Sequence, residues 1–226
     1  MLPAVMTKVL VTFGDSWPEG AELGNGRRYG EILSEDYGFD QFYNYGQGGA
    51  SNEDMLFQLQ LHIKKVYQID HQTVAIFFLT NPARTAQWPK FMSHYEKFLD
   101  LTFNVRPGEE NFKKIVLHLF DSKLENMRTN STISALQFWC QNLGISDWYF
   151  AGWNRYENWL PGVNIDKIWA RGCETAADWF GASKHNGEHL LDVGDNPYIR
   201  PNFCHPNQLG HQLIADKLAS WIGLNR

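Results

Sequence analysis

The sequence Gly-Asp-Ser at 14–16 directly follows a short apolar run near the start of the chain. A serine hydroxyl is a weak nucleophile, so it needs a base within hydrogen-bond reach and donors that stabilise a developing oxyanion. Two further polar turns, at 46–51 and 80–82, also follow apolar runs. These residue types favour acyl transfer through a serine, although Gly-Asp-Ser by itself is an ordinary turn sequence.

The elements that must position these turns follow from the spacing of apolar residues, which has period two in strands and a period near 3.6 in helices. Short apolar runs predict strands at 8–13, 42–45, 73–79, 114–120 and 148–151. Helical spacing predicts helices at 28–37, 51–67, 91–103, 133–143, 165–180 and 207–222, and the stretch 181–202 is predicted to be a long loop.

Strands and helices therefore alternate along the chain, which is typical of α/β proteins with a parallel sheet. We expect a single domain over 1–226, built as a three-layer α/β/α sandwich around a central, mainly parallel sheet of the flavodoxin-like kind. In such sheets, ligands bind beyond the carboxyl ends of the strands. All three polar turns are predicted to lie at that edge.

Four short segments resemble the signature blocks of one known superfamily, the SGNH (GDSL-like) hydrolases. Phe-Gly-Asp-Ser at 13–16 resembles the first block, and Asn-Tyr-Gly-Gln-Gly-Gly-Ala-Ser at 44–51 is similar to the second. Leu-Thr-Asn-Pro at 79–82 is similar to the third, and His-Pro-Asn at 205–207, followed by Gly-His at 210–211, to the last. The blocks come in family order and span nearly the whole chain.

The resemblance implies a role for each matching residue. Ser16 would be the nucleophile and His205 the base that takes its proton. The oxyanion donors would be the backbone N–H groups of Ser16 and Gly49 and the side-chain amide of Asn81. Because His205 comes just before the last predicted helix, it can meet Ser16 across the edge of the sheet.

The position three residues before the base departs from the family pattern, where an aspartate is usual. Here it is Asn202, whose amide can hold the imidazole of His205 but cannot balance its charge. Three explanations stay open: a backbone carbonyl orients His205, or Asp192 or Asp195 reaches it from the preceding loop, or the site is weak or inactive. Asn202 and Asp195 are therefore both candidate catalytic residues.

Two other positions are candidate substrate contacts. Pro82 stands where the family often has an aspartate, so the loop is built differently, and Arg84 could enter the site and meet an anionic or polar substrate. The alternative for Arg84 is a surface salt bridge. Asp15 is a candidate substrate contact, but also a candidate structural hydrogen-bond acceptor that holds the turn.

Composition excludes several other classes of function. The net charge is −5 and there is no run of basic residues, so we expect neither nucleic acid nor a membrane surface as partner. No apolar segment is long enough to span a bilayer, and the first residues do not read as a signal peptide, so a cytoplasmic protein is expected. The three cysteines are few, odd in number and not closely spaced, so we expect neither a disulfide framework nor a metal site.

The sequence thus predicts a serine esterase that acts on a small-acyl or carbohydrate ester through an acyl-enzyme on Ser16, without a cofactor. The altered third block and Asn202 motivate an alternative, a catalytically weak or inactive binding or structural protein with the same fold. A nucleotide-binding module is disfavoured because the turn after the first strand is acidic and poor in glycine.

Overall fold

The central feature is a parallel β-sheet. The computed structural model describes residues 6–80, 122–152, 156, 158–181, 196–200 and 205–225. Within these ranges the sheet has four strands in the order β2-β1-β3-β4, and every neighbouring pair is parallel. The strands are β1 (Lys8–Phe13), β2 (Gln41–Asn44), β3 (Gln72–Leu79) and β4 (Ser146–Ala151). They confirm four of the predicted strands, and the one predicted at 114–120 lies outside the described residues.

Helices alternate with these strands along the chain, as predicted. They are α1 (Ser16–Glu19), α2 (Tyr29–Asp36), α3 (Asp54–Lys65), α4 (Ser122–Leu143), α5 (Ala176–Trp179) and α6 (Gln208–Ile222), with 3₁₀ turns at Ile165–Lys167 and Trp169–Gly172. The predicted helix at 91–103 and most of the predicted loop at 181–202 lie outside the described residues. Among the described helices, none combines the length and apolarity needed to cross a membrane.

The sheet is covered on both faces, because successive strand residues point to opposite sides. Leu10 and Ile76 belong to a buried cluster that includes apolar residues of α2 and α6. Val11 and Phe77, their neighbours along the strands, belong to a second cluster that includes residues of α3 and α4. This arrangement is the three-layer α/β/α sandwich that the sequence predicts.

The prediction of one continuous helix over 165–180 is wrong. Ala170 and Arg171 interrupt it, since their φ values of 44° and 52° lie in the left-handed region. Just before them, Ile168 forms a parallel bridge with Tyr149 of β4. The apolar residues of this stretch are thus buried by pairing along the edge of the sheet and by short helical turns. Their spacing is typical of a helix, although the backbone does not form a continuous one.

His62 of α3 is buried among aromatic rings. Its ring is inaccessible to solvent and contacts the rings of Phe13, Tyr43 and Tyr45. Neither ring nitrogen has a hydrogen-bond partner among the described residues. Burial, with a smaller contribution from the charge of His71, lowers the pKa of His62 to about 4. The imidazole is therefore neutral at neutral pH.

Acidification is expected to destabilise the fold through His62. Its pKa rises from about 4 in the folded state to the ordinary 6.5 on unfolding, so the unfolded chain takes up the proton first. The contribution of neutral His62 to the free energy of unfolding is complete above pH 6.5. It decreases as the pH falls, by about 2 kcal/mol between roughly pH 7 and 4.5. Urea unfolding at both pH values should show a loss smaller by that amount in His62→Phe than in the wild type. Equal losses would contradict this explanation.

Candidate active site

Ser16 lies in the first turn of α1, directly beyond the carboxyl end of β1. Gly14 ends the strand with a φ of 135°, which residues with a side chain rarely adopt. Asp15 then caps α1, because its Oδ1 accepts a hydrogen bond of 3.0 Å from the backbone N–H of Trp17. The turn leaves Ser16 9% exposed at the edge of the sheet where ligand sites are expected.

The turn at Gly14 is held from two sides. The side-chain amide of Gln58, in α3, accepts from the N–H of Gly14 at 2.8 Å and donates to its carbonyl at 2.9 Å. On the other side, a methyl group at Gly14 would lie only 2.8 Å from Cβ of Phe78 in β3. The backbone that carries Ser16 therefore has little freedom to move.

His205 lies against Ser16, with its Nε2 2.9 Å from the Ser16 Oγ. Two residues after it, Asn207 caps α6 by accepting a hydrogen bond from the N–H of Gly210. The carbonyl of His205 itself accepts from the N–H of Arg200 at 2.9 Å. The start of α6 thus fixes the imidazole over the end of β1, and the structure brings together the two residues predicted as nucleophile and base.

Glu22 contacts the opposite side of the same imidazole. Its Oε2 lies 3.3 Å from the Nδ1 of His205. Glu22 has a φ of 65°, a conformation that costs about 1–2 kcal/mol in a residue with a side chain. Sequence reasoning missed Glu22 because no family block contains it. The available signal was a carboxylate between Gly20 and Gly24, in the turn that follows the nucleophile.

The loop after β2 passes beside Ser16. The N–H of Gln47 donates to the carbonyl of Gly14 at 3.0 Å, which joins this loop to the nucleophile turn. A methyl group at Gly48 would lie 3.9 Å from Cβ of Ser16, and Gly49 has a φ of 80°. The loop that carries the predicted oxyanion donor Gly49 is therefore next to Ser16.

Asp15 joins the nucleophile turn to the loop after β3. Its Oδ2 accepts from the hydroxyl of Thr80 at 2.6 Å, and the N–H of Thr80 donates to the side chain of Asn52 at 2.9 Å. All three side chains are buried. These contacts favour the structural role for Asp15 over contact with substrate.

Four predicted site residues lie outside the described residues. Asn81 and Arg84 come shortly after Thr80 in the chain, and Asp195 and Asn202 precede His205. The predicted oxyanion amide of Asn81, the substrate contact of Arg84 and the orienting roles of Asp195 and Asn202 stay predictions.

His211, the second histidine of the last block, has a different environment from His205. It lies buried in α6, where its Nδ1 accepts a hydrogen bond of 3.2 Å from the N–H of Tyr29. Burial, helped by the charges of Arg28 and His205, lowers the pKa of His211 to about 4. A neutral imidazole is what this contact requires, since its Nδ1 must act as acceptor. His211 thus holds the start of α2 against α6.

Comparison with known proteins gives a likeness of fold. No protein-family model and no curated protein sequence matches the chain. Among solved structures, the psychrotrophic esterase EstA from Pseudoalteromonas sp., in a structure inhibited by monoethylphosphonate, matches with a TM-score of 0.50 at 14% identity. That match covers 96% of this chain and 97% of EstA.

Two further solved structures match equally well. Phospholipase A1 from Streptomyces albidoflavus NA297 has a TM-score of 0.50 at 13% identity, over 94% of this chain and 98% of its own. A protein from Lactobacillus plantarum has a TM-score of 0.50 at 15% identity, over 97% and 98%. At such low identity these likenesses concern the backbone. The chain shares its three-layer α/β/α fold with these proteins.

Proposed function

We propose that the chain is a serine esterase in which Ser16 is the nucleophile and His205 the base. The observation that carries the proposal is the 2.9 Å contact between the Ser16 Oγ and the His205 Nε2, at the strand ends where such folds bind ligands. An activated serine is recognised by a base within hydrogen-bond reach, and this distance meets that condition. The likeness of fold to an esterase and a phospholipase adds support.

In the proposed reaction, the Ser16 oxygen attacks the ester carbonyl while its proton passes to the Nε2 of His205. The tetrahedral intermediate collapses as the alcohol leaves with that proton, and the acyl group stays on Ser16. Water then attacks the carbonyl of the acyl-enzyme while one of its protons passes to His205. The bond between the Ser16 oxygen and the acyl carbon breaks, His205 returns the proton to Ser16, and the carboxylic acid leaves. No step needs a cofactor.

The proposed oxyanion donors are the N–H groups of Ser16 and Gly49 together with the side-chain amide of Asn81. The position of the loop after β2 beside Ser16 supports the part given to Gly49. Each such donor is worth about 3–4 kcal/mol of transition-state stabilisation in enzymes where one has been removed.

The substrate we propose is a small-acyl or carbohydrate ester. The support is the loop after β2, which lies against the nucleophile: a methyl side chain at Gly48 would be in ordinary van der Waals contact with the Ser16 Cβ, at 3.9 Å.

Hydrolysis of p-nitrophenyl acetate and p-nitrophenyl butyrate tests the proposal. We expect turnover by the wild type, faster with the acetate, and none above background with Ser16→Ala. Turnover that persists in Ser16→Ala would contradict the proposal. Absence of turnover in the wild type with every ester offered would favour the inactive binding protein instead.

A further inference from the structure

We propose that Glu22 is the positioning residue that orients His205, from the loop after α1 and not from the usual place three residues before the base. The inference rests on the proposed function, since it assigns the third member of the same site. At the usual place this chain has Asn202, an amide that cannot balance a positively charged imidazole. Glu22 supplies a carboxylate from another part of the fold.

The imidazole of His205 lies between the side chains of Glu22 and Ser16. The two ring nitrogens of His205 face different partners: Nδ1 lies 3.3 Å from the Glu22 Oε2, and Nε2 lies 2.9 Å from the Ser16 Oγ. An ionised carboxylate only accepts hydrogen bonds, so the contact with Glu22 favours the tautomer that carries its hydrogen on Nδ1. Nε2 is then left with its lone pair towards Ser16, which is the state that a general base needs.

The same contact is strengthened during the reaction. When the Ser16 proton moves to Nε2, His205 becomes a cation between two partners, and Glu22 holds the compensating negative charge. Glu22 itself exchanges no proton. When Nε2 gives its proton to the departing alcohol, the imidazole is neutral again and the hydrogen on Nδ1 has stayed in place.

The backbone conformation of Glu22 also points to a functional role. Its φ of 65° lies in the left-handed region, which glycine or asparagine adopts more readily than glutamate. Side chains held in an unfavourable backbone conformation are concentrated at functional sites. In this conformation the carboxylate of Glu22 reaches His205, a residue that lies far away in the sequence.

The loop that carries Glu22 is attached at both ends to the elements of the site. At its start, the N–H of Ala21 donates to the carbonyl of Ser16 at 3.0 Å. At its end, the side chain of Gln208, in the first turn of α6, accepts from the N–H of Arg27 at 2.8 Å and donates to its carbonyl at 3.2 Å. The loop is thus bound both to the nucleophile and to the helix that follows His205.

This attachment explains a glycine in the same loop. A methyl group at Gly26 would lie 2.5 Å from the Oε1 of Gln208, so a side chain there would displace the amide that holds Arg27. The close approach holds the backbone of this loop against α6, and from it the Glu22 side chain, which is 36% exposed, contacts His205.

Glu22→Gln tests the assignment, because it replaces the carboxylate with an amide of the same size. We expect kcat for p-nitrophenyl acetate to fall about 10²-fold with little change in KM, less than the roughly 10⁴-fold cost of the same exchange at a buried acid. The matched control is Glu35→Gln, which removes an exposed carboxylate of α2 that pairs with Arg27. A Glu22→Gln enzyme as active as Glu35→Gln would overturn the proposal.

A spectroscopic measurement distinguishes positioning from a merely structural role. In the proton NMR spectrum, the Nδ1–H of His205 should give a low-field resonance in the wild type and in Ser16→Ala, and this resonance should be absent in Glu22→Ala, which leaves no acceptor at this position. A resonance that survives in Glu22→Ala would show that another group orients His205. The NMR spectrum is recorded without substrate. It therefore decides the role of Glu22 even if turnover that persists in Ser16→Ala refutes the proposed esterase mechanism.

A double variant adds the reverse test. Placing a carboxylate at the usual family position, with Asn202→Asp in the Glu22→Gln background, should restore part of the lost kcat. A further fall in kcat would count against the proposal, because an acid at either position is expected to serve the same nitrogen of His205.

Discussion

Replacing Ser16 or His205 by alanine is expected to lower kcat for p-nitrophenyl acetate by about 10⁴- to 10⁶-fold, the range found when members of a serine triad are removed. Without Ser16 no acyl-enzyme can form. Without His205 the serine proton has no acceptor at the 2.9 Å distance that the structure gives. Steady-state kinetics of the two variants, with unfolding curves to show that both fold, checks this expectation.

The double variant gives a stricter form of the same prediction. Because the two side chains act as one unit, Ser16→Ala/His205→Ala should be no slower than the slower single variant. The control is Ser34→Ala, which removes a buried serine hydroxyl of α2 and should leave kcat unchanged. Losses that simply multiply in the double variant would mean that Ser16 and His205 act independently.

Gly14→Ala is expected to have the second large effect, on stability as well as on activity. A side chain at a φ of 135° is strained, and its Cβ would lie 2.8 Å from Cβ and 2.9 Å from the carbonyl oxygen of Phe78. Strain and overpacking together should lower the free energy of unfolding by about 2–5 kcal/mol. Any relaxation would shift the turn that carries Ser16, so kcat should fall too. Urea unfolding and ester hydrolysis measure the two effects.

Gly38→Ala is the matched control for that variant. Gly38 also has a positive φ, 69°, but a methyl group there would meet no heavy atom within 4 Å among the described residues. Only the backbone cost of about 1–2 kcal/mol is expected, with no change in activity. If Gly14→Ala destabilised the protein no more than Gly38→Ala, the close packing against Phe78 would not be what fixes the turn.

The inner strands β1 and β3 could be predicted from the sequence because they are buried on both faces and consist of short apolar runs. The apolar run at 73–79 predicts the core strand β3. The glycine after β1 predicts the turn that leads to the candidate site. The prediction of a helix at 165–180 was wrong because the spacing of apolar residues indicates which residues are buried, but not which backbone conformation buries them. There, pairing of Ile168 with Tyr149 and the left-handed residues at 170–171 replace a helix.

The site could be predicted in part. Ser16 and His205 follow from local motifs and from the rule that sites lie at the strand ends, and the structure brings them together. Glu22 could not be predicted in the same way. Its contact with His205 depends on a left-handed backbone conformation and on the attachment of Arg27 to Gln208, and neither is recorded in a short motif.

Labelling of the folded protein by a fluorophosphonate is the decisive experiment for Ser16, because the reagent reacts with activated serines whatever the natural substrate is. We expect one adduct, located on Ser16 by peptide mass spectrometry, absent in Ser16→Ala and formed far more slowly in His205→Ala. A folded wild type that stays unlabelled, or an adduct on a different residue, would contradict the assignment of Ser16 and His205 as a working nucleophile and base.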